Sequence, residues 1–265
     1  MILTILVLLV LYLLALRGRS GHSGLAELRK WNYAHRGLHG ENKPENSMAA
    51  FRAALEHGFG IELDVHLLKD GNLAVIHDSS LKRTAGVDVN IEDLTAEDLK
   101  NYHLQGTQEQ IPLFSDVLAL FDGKAPLIVE LKCVNNVDAL CSAACEMLDH
   151  YHGPYCVESF DPRCVMWLKK HRPQVIRGQL AENWMKVKNS PMPWLLRLIM
   201  TCHLGNFLLN PDFIAYKYAD RKAFGTDICR KLWNVQGVSW TLRTKEEFDT
   251  AVEEGWIPIF ENFIP

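Results

Sequence analysis

The architecture of this chain follows from Ile61-Glu62-Leu63-Asp64-Val65-His66 and Leu127-Ile128-Val129-Glu130-Leu131-Lys132, two apolar segments in which polar side chains recur at every second position. Successive side chains of a β-strand point to opposite faces, so Glu62 and Asp64 share one face, as do Glu130 and Lys132. Three carboxylates in strands that otherwise read as buried are costly unless a cation lies between them. The pattern therefore predicts buried strands that present a metal site.

A hard divalent cation is the expected occupant of that site. Carboxylate ligands suit Ca²⁺, Mg²⁺ or Mn²⁺, and the seven cysteines show no paired spacing typical of zinc ligands. The candidate metal ligands are Glu62, Asp64 and Glu130. The spacing alone leaves open the alternative that these carboxylates are solvated or paired with Arg36 and Lys132. His35, Arg36 and His77 lie in the same part of the chain, which favours a metal-assisted phosphate-ester site.

Short apolar strands alternate with amphipathic helices along most of the chain. The predicted strands are 31–35, 61–66, 127–132, 155–160, 175–180, 213–216, 238–242 and 257–260. The predicted helices are 47–57, 115–121, 137–150, 163–171 and 245–254. Residues 70–110 are polar and irregular, and we set aside the short strand 73–77 within them. Eight strands with intervening helices predict a TIM (β/α)8 barrel with a small insertion after the second strand. The active site would lie at the carboxyl ends of the strands.

The first sixteen residues are uncharged and almost wholly apolar. As a helix they would span about 24 Å, somewhat less than a hydrocarbon core of about 30 Å. Arg17, Arg19, Arg29 and Lys30 follow, so the positive-inside rule places the rest of the chain in the cytosol. We expect a single-pass membrane anchor at 1–16, a linker at 17–30 and one catalytic domain at 31–265. A removed signal peptide is the alternative, but reading the cysteines as reduced favours an anchor.

The charge and the apolar segments of the chain indicate which binding partners to expect. The net charge is −4 and no lysine or arginine run is present, so a nucleic-acid partner is not expected. The segment 184–210 is apolar nearly all round a helix, which indicates either burial or contact with a membrane. The sequence leaves the oligomeric state open.

Four ordered motifs resemble the glycerophosphodiester phosphodiesterase family. They are Tyr33-Ala34-His35-Arg36-Gly37, Pro44-Glu45-Asn46-Ser47-Met48-Ala49-Ala50-Phe51, Gly60-Ile61-Glu62-Leu63-Asp64-Val65 and Val75-Ile76-His77-Asp78. Ile111-Pro112-Leu113, Val129-Glu130-Leu131-Lys132, Ser159-Phe160-Asp161 and Trp240-Thr241-Leu242 continue the similarity in the order of the family. The resemblance extends from Tyr33 to the carboxyl terminus.

The resemblance implies a TIM barrel that uses calcium or magnesium to hydrolyse a glycerophosphodiester to glycerol 3-phosphate and an alcohol. It also implies metal-binding roles for Glu62, Asp64 and Glu130 and acid–base roles for His35 and His77. Arg36, Lys132 and Trp240 would contact the substrate. The chain departs from the family pattern at Arg243, where asparagine is common, and at its ending Ile259-Phe260-Glu261-Asn262. These departures bear on substrate choice.

Three functions remain to be distinguished. The first is hydrolysis of soluble glycerophosphodiesters, and the second is lysophospholipase D action on membrane lysophospholipids. The third is a membrane-tethered binding module without catalysis, which the intact motif residues disfavour.

Overall fold

Eight parallel strands close into a barrel in the computed structural model, which describes residues 1–188, 190 and 192–265. The nine strands in chain order are β1 Tyr33–His35, β2 Gly60–Leu67, β3 Leu73–Val75, β4 Leu127–Leu131, β5 Tyr155–Ser159, β6 Arg177–Ala181, β7 Phe213–Lys217, β8 Gln236–Leu242 and β9 Ile257–Phe260. β1 pairs in parallel with both β2 and β9, which closes the ring, and β3 pairs antiparallel with β2 outside it. The predicted TIM barrel is confirmed.

The helices lie mostly between the strands. In chain order they are α1 Ile2–Ala15, α2 Leu25–Leu28, α3 Met48–Glu56, α4 Lys82–Ala85, α5 Phe114–Phe121, α6 Val137–Leu148, α7 Pro162–His171, α8 Trp194–Thr201, α9 Asn206–Leu209, α10 Phe224–Lys231 and α11 Lys245–Glu253. The sequence predicts where α3 begins, because the Ser47 hydroxyl accepts a hydrogen bond from the Ala50 N–H at 3.1 Å. The predicted helices do not include α10, whose eight residues are mostly polar.

Side chains inside the barrel follow the alternation of the strands. At the amino ends of the strands the interior is apolar and includes Tyr33, Ile128 and Phe213. At the carboxyl ends the inward positions become charged, as with Glu130, two residues beyond Ile128 on β4. Burial of the apolar side chains at the amino ends stabilises the fold, and the charged side chains at the carboxyl ends form the candidate site.

The amino end of the barrel is covered by α2. Leu25 and Leu28 are buried against the apolar interior layer, and the Tyr33 hydroxyl donates a hydrogen bond to the Leu28 carbonyl at 3.0 Å. Nearby, Arg19 forms an ion pair with the fully buried Asp212, and Arg29 donates to Gln236 at 2.6 Å. Much of the segment 17–30, which the sequence predicts to be a linker, therefore packs against the barrel.

We expect Leu28→Ala to lower the free energy of unfolding by about 2–5 kcal/mol, because it leaves a cavity where a buried side chain closes the barrel. Urea unfolding of the full chain measures this change. Lys30→Ala, an exposed neighbour, is the control and should change stability by less than about 0.5 kcal/mol. Equal stability of the two variants would contradict a structural role for α2.

The insertion after β2 is a small folded unit. Its own apolar cluster is formed by Leu68, Ala74, Ile76, Leu81, Ile91, Leu94, Leu99, Leu104 and Ile111. β3 pairs Val75 with Val65 of β2, and the Ile76 N–H donates to the Asp64 carbonyl at 3.0 Å. This pairing carries His77 to the carboxyl end of β2, so the insertion contributes to the site.

The contacts of α1 fix its direction. Tyr12 stacks on Phe224, the first residue of α10, with 6.4 Å between ring centroids. Leu16 is buried beside Ile214 and Val235, and Arg19 binds the carbonyl that precedes β7. α1 therefore descends beside α10, from the carboxyl toward the amino ends of the strands. Residues 1–11 are exposed beyond this contact, so the free end of α1 points to the carboxyl side of the barrel.

The sequence predicts a membrane-spanning anchor at 1–16, and α1 occupies fourteen of these residues. Among the described residues, no helix is both long enough and apolar enough to cross a membrane. The apolar segment 184–210 forms α8 and α9, and its residues 189 and 191 lie outside the described residues. Met200 and Leu209 are buried, whereas Trp194, Leu195 and Leu196 are exposed.

Candidate active site

Three buried carboxylates meet at the carboxyl ends of β2 and β4. Glu62 and Asp64 lie on β2 and Glu130 lies on β4, where strand pairing sets Asp64 directly beside Glu130. Their exposed fractions are 3%, 0% and 6%. One carboxylate oxygen from each residue lies within 4.8 Å of the others, so one ion could contact all three. The structure thus brings the three predicted metal ligands together.

A fourth carboxylate, Glu158, occupies the position beside Glu130 on β5 and is 1% exposed. Within the part of the chain that the structure describes, these four carboxyl groups share two nearby cationic side chains, Arg36 and Lys132. Burial, together with the neighbouring carboxylates, raises the pKa of Glu62 well above its usual value and that of Glu130 to about 7. One oxygen of Glu158 is buried without a hydrogen-bond partner. A divalent cation would balance this excess of negative charge, so the donor set fits such an ion.

Asp64 is held by cations and an amide. Lys132 Nζ lies 3.0 Å from Asp64 and 2.7 Å from Glu130, and Arg36 Nε lies 3.4 Å from Asp64. The Asn46 side-chain amide donates to Asp64 at 2.8 Å. Burial alone would raise the pKa of Asp64, but the charges of Lys132, His77 and Arg36 hold it below its ordinary value. Asp64 is therefore ionised.

The loop after β1 brings the backbone close to the triad. Arg36 has a φ of 55°, a left-handed conformation that is uncommon for a side chain with a Cβ, and its N–H donates to Glu62 at 3.1 Å. Gly37 follows with a φ of 79°, and a Cβ there would lie 2.9 Å from the Ala50 Cβ. Glycine is therefore required at position 37, where the loop turns against α3.

Both candidate acid–base histidines are oriented by carboxylates. His35 Nδ1 lies 2.6 Å from Glu261, and His77 Nδ1 lies 2.6 Å from Asp78. Burial lowers the pKa of each histidine below its ordinary value, although Glu261 opposes the shift at His35 and Asp64 opposes it at His77. A histidine that is held in this way can take part in proton transfer, because it accepts a proton when its ring is neutral and donates one when its ring is charged.

A chain of ion pairs connects Arg36 to Asp78. Arg36 binds Glu45 at 2.9 Å, and Arg83 binds the same carboxylate at 2.6 Å. Arg83 also donates to Asp78 at 2.5 Å. The motif residues that follow β1 and β3 are thereby joined into one network, which the sequence does not show.

One wall of the cavity is apolar. Phe160, Leu180, Trp240 and Ile259 line it together with His35, Arg36, Glu62, His77, Glu130 and Glu158. Trp240 packs edge-on against Phe160 with 5.6 Å between ring centroids, and its indole N–H donates to the Ala215 carbonyl at 3.1 Å. Trp240 is therefore fixed, and its ring can contact an uncharged part of a substrate.

All eight sequence-predicted site residues lie in or beside this cavity. Their roles in binding and catalysis stay predictions. Sequence reasoning did not assign a role to Glu158 or Glu261. Glu158 falls on the inward period of β5, and Glu261 continues that of β9 one residue beyond the end of the strand. His66 shares the face of Asp64 but binds Glu92 at 2.7 Å, away from the triad.

The closed βα barrel carries carboxylates, two histidines and cationic side chains at its carboxyl end, where enzymes of this fold have their active sites. Residues 35–264 match the model of the glycerophosphoryl diester phosphodiesterase family, and the chain belongs to this family. A glycerophosphodiester phosphodiesterase of Bacillus altitudinis is 41% identical over 112 residues, which are 40% of this chain and 45% of that protein. Lysophospholipase D GDPD1 of Rattus norvegicus is 39% identical over 117 residues, which are 39% of this chain and 37% of that protein. These matches span less than half the length of either curated relative.

Among solved structures, a phosphodiesterase of Oleispira antarctica in complex with the product sn-glycerol-3-phosphate has a TM-score of 0.74. It is 21% identical, and the match covers 92% of this chain and 95% of that one. At this identity the likeness concerns the fold.

Proposed function

We propose that this protein hydrolyses glycerophosphodiesters to glycerol 3-phosphate and an alcohol with the help of a divalent cation, Ca²⁺ or Mg²⁺. The observation that carries the proposal is the excess of buried carboxylates over cations beside two oriented histidines. Membership in the family and the name of the Bacillus relative support the same activity.

The residues of the site would take different roles in the reaction. Glu62, Asp64 and Glu130 would hold the cation, which when bound offsets the negative charge of the phosphate. Arg36 and Lys132 add positive charge at the same place. One histidine would take the proton of the attacking hydroxyl, which in a glycerol diester can be the hydroxyl next to the phosphate. Its attack would expel the alcohol and form a cyclic phosphate, which water would then open to glycerol 3-phosphate. The other would donate a proton to the leaving oxygen.

A product assay tests this proposal. The purified full chain is incubated with glycerophosphocholine, glycerophosphoethanolamine and their lysophospholipid counterparts. Glycerol 3-phosphate is quantified for the soluble diesters and lysophosphatidic acid for the lysophospholipids. We expect glycerol 3-phosphate from the soluble diesters, loss of activity on exhaustive chelation, and recovery on adding Ca²⁺ or Mg²⁺. Undiminished activity after chelation would contradict metal dependence, and absence of glycerol 3-phosphate would contradict the reaction.

A second candidate function is lysophospholipase D action at a membrane. It is favoured by exposed apolar side chains at the active-site end of the barrel. They are Ile2, Leu3, Ile5, Leu6, Val7, Leu8, Leu9, Val10 and Leu11 on the free end of α1, Trp194, Leu195 and Leu196 on α8, and Phe224 on α10. Their common location follows from three contacts: Tyr12 stacks on Phe224, the Tyr216 hydroxyl donates to the Thr201 carbonyl, and Arg197 binds carbonyls in the loop after β6.

Exposed lysines at positions 188 and 222 precede α8 and α10, which carry part of this apolar surface, a combination suited to anionic lipid headgroups. The surface would hold the barrel mouth against a bilayer, where lysophospholipids are presented. The Rattus relative is named as a lysophospholipase D, in keeping with such a substrate. The bilayer would be met from its cytosolic side, because the cytosolic leaflet carries the anionic lipids that attract basic side chains.

Removal of residues 2–10 tests the membrane role, because Tyr12 and Leu16 keep their docking contacts. We expect activity on lysophospholipid in anionic vesicles to fall about tenfold or more, because the deletion lowers the concentration of enzyme at the vesicle surface and leaves the active site unchanged. Activity on glycerophosphocholine should stay within about twofold. Phe224→Ser should act in the same direction, and Val252→Ser, on the exposed face of α11, is the matched control. Equal vesicle activity of the deletion and the full chain would contradict the membrane proposal.

A further inference from the structure

His35 is held between two carboxylates that meet different ring nitrogens. Nδ1 lies 2.6 Å from Glu261, whereas Nε2 lies 3.9 Å from Glu62, one of the three candidate metal ligands. An ionised carboxylate only accepts hydrogen bonds, so Nδ1 must carry the hydrogen that Glu261 receives. In the neutral ring this leaves Nε2 without a hydrogen, and Nε2 faces the cavity.

Glu261 is itself fixed on both oxygens. Arg243 Nε lies 2.7 Å from Oε1, and His39 Nε2 lies 3.7 Å from Oε2, the oxygen that binds His35. The Glu261 side chain is only 11% exposed. Burial would raise its pKa, but the hydrogen bond from His35, the nearby His39 ring and the charge of Arg243 hold it below the ordinary value. A fixed, ionised carboxylate can hold an imidazole in one tautomer and one orientation.

The backbone of Arg243 is held in place, whereas its side chain is 59% exposed. Its backbone N–H donates to Glu247 at 2.8 Å, at the first turn of α11. Arg243 follows β8 and Glu261 follows β9, the strand that closes the barrel against β1. The Arg243–Glu261 pair therefore joins the closing strands at the ring of His35. These are also the two places where the sequence departs from the family pattern.

We propose that Glu261, held by Arg243, is the positioning residue for His35, keeping hydrogen on Nδ1 and presenting a bare Nε2 to the substrate. This inference rests on the proposed phosphodiesterase function. It gives His35 a partner far away in the sequence, which serves the purpose that the adjacent Asp78 serves for His77.

Replacement of Glu261 tests the inference by activity. We expect Glu261→Ala and Glu261→Gln to lower kcat about 10–100-fold on glycerophosphocholine, the usual effect of losing a group that orients a functional residue. The glutamine amide can donate to Nδ1 and so stabilises the wrong tautomer. KM should change less than kcat, and Glu261→Asp should restore part of the loss. Glu254→Gln, which removes the charge of another carboxylate paired with arginine, is the matched control and should retain kcat within about twofold.

A spectroscopic measurement tests it without catalysis. ¹⁵N spectra of histidine-labelled protein at pH 8, with and without Mg²⁺, should show His35 with hydrogen on Nδ1. The signal is assigned by its loss in His35→Gln. In Glu261→Gln this tautomer should lose its dominance at unchanged melting temperature.

Unchanged kcat in both variants, or an unchanged His35 tautomer in Glu261→Gln, would overturn the inference. So would a loss of kcat accounted for entirely by unfolded protein. An inactive wild type would instead count against the proposed function, because the tautomer can be read without turnover.

Discussion

Replacing Asp64 with asparagine is expected to lower turnover of a glycerophosphodiester by at least about 1,000-fold, because the loss of a bound cation removes several kcal/mol of charge stabilisation. The asparagine side chain would nearly preserve the shape of the aspartate but would remove one formal charge from a fully buried position. It would also leave Lys132 and Arg36 with one anion fewer to contact. Glu62→Gln and Glu130→Gln should act in the same direction through the same ion.

Cation titration of each variant separates metal loss from misfolding. We expect the apparent affinity for Mg²⁺ or Ca²⁺ to fall, and excess cation to restore part of the activity. Asp249→Asn is the control, because that carboxylate lies on the surface of α11 in a pair with Lys245 and should change turnover little. An Asp64→Asn enzyme that binds the cation with wild-type affinity would remove Asp64 from the ligand set.

The barrel and the three candidate metal ligands were predictable from the sequence, because both follow from the alternation of side chains along β-strands. Glu62, Asp64 and Glu130 stand out because each is an acidic residue in an otherwise apolar strand. All three lie on the same face of the neighbouring strands β2 and β4. Glu158 obeys the same rule, but it is the only carboxylate in a strand that also contains cysteine and serine. A single acidic residue in such a strand is a weak signal on its own.

Contacts between residues far apart in the sequence could not be predicted from the alternation of side chains along one strand. Glu261 meets His35 only because β9 pairs with β1, 226 positions apart, and no local pattern shows that register. The segment 17–30 reads as a linker because glycine, serine and arginine dominate its first half. Its Leu25 and Leu28 gain their place from the open amino end of the barrel, a tertiary feature.

The second large effect is expected at the histidines. His77→Ala and His35→Ala should each lower turnover by about 100-fold or more, the usual contribution of a general acid or base. Both side chains lie in the cavity with Nδ1 bound to a carboxylate, so their loss should affect chemistry more than folding. Melting temperatures within a few degrees of wild type would exclude misfolding as the cause. The double variant should lose less than the product of the two effects, because the groups act in one reaction.

Leaving-group dependence tells the two histidines apart. If His77 donates the proton to the leaving oxygen, His77→Ala should be far less damaged on a nitrophenyl phosphodiester, whose leaving oxygen needs no proton, than on glycerophosphocholine. His35→Ala, which removes the group that Glu261 orients for accepting a proton, should be damaged equally on both substrates. The opposite pattern would exchange the two assignments. Near-normal turnover of either variant on glycerophosphocholine would remove that histidine from proton transfer, since a choline leaving group departs poorly without a proton.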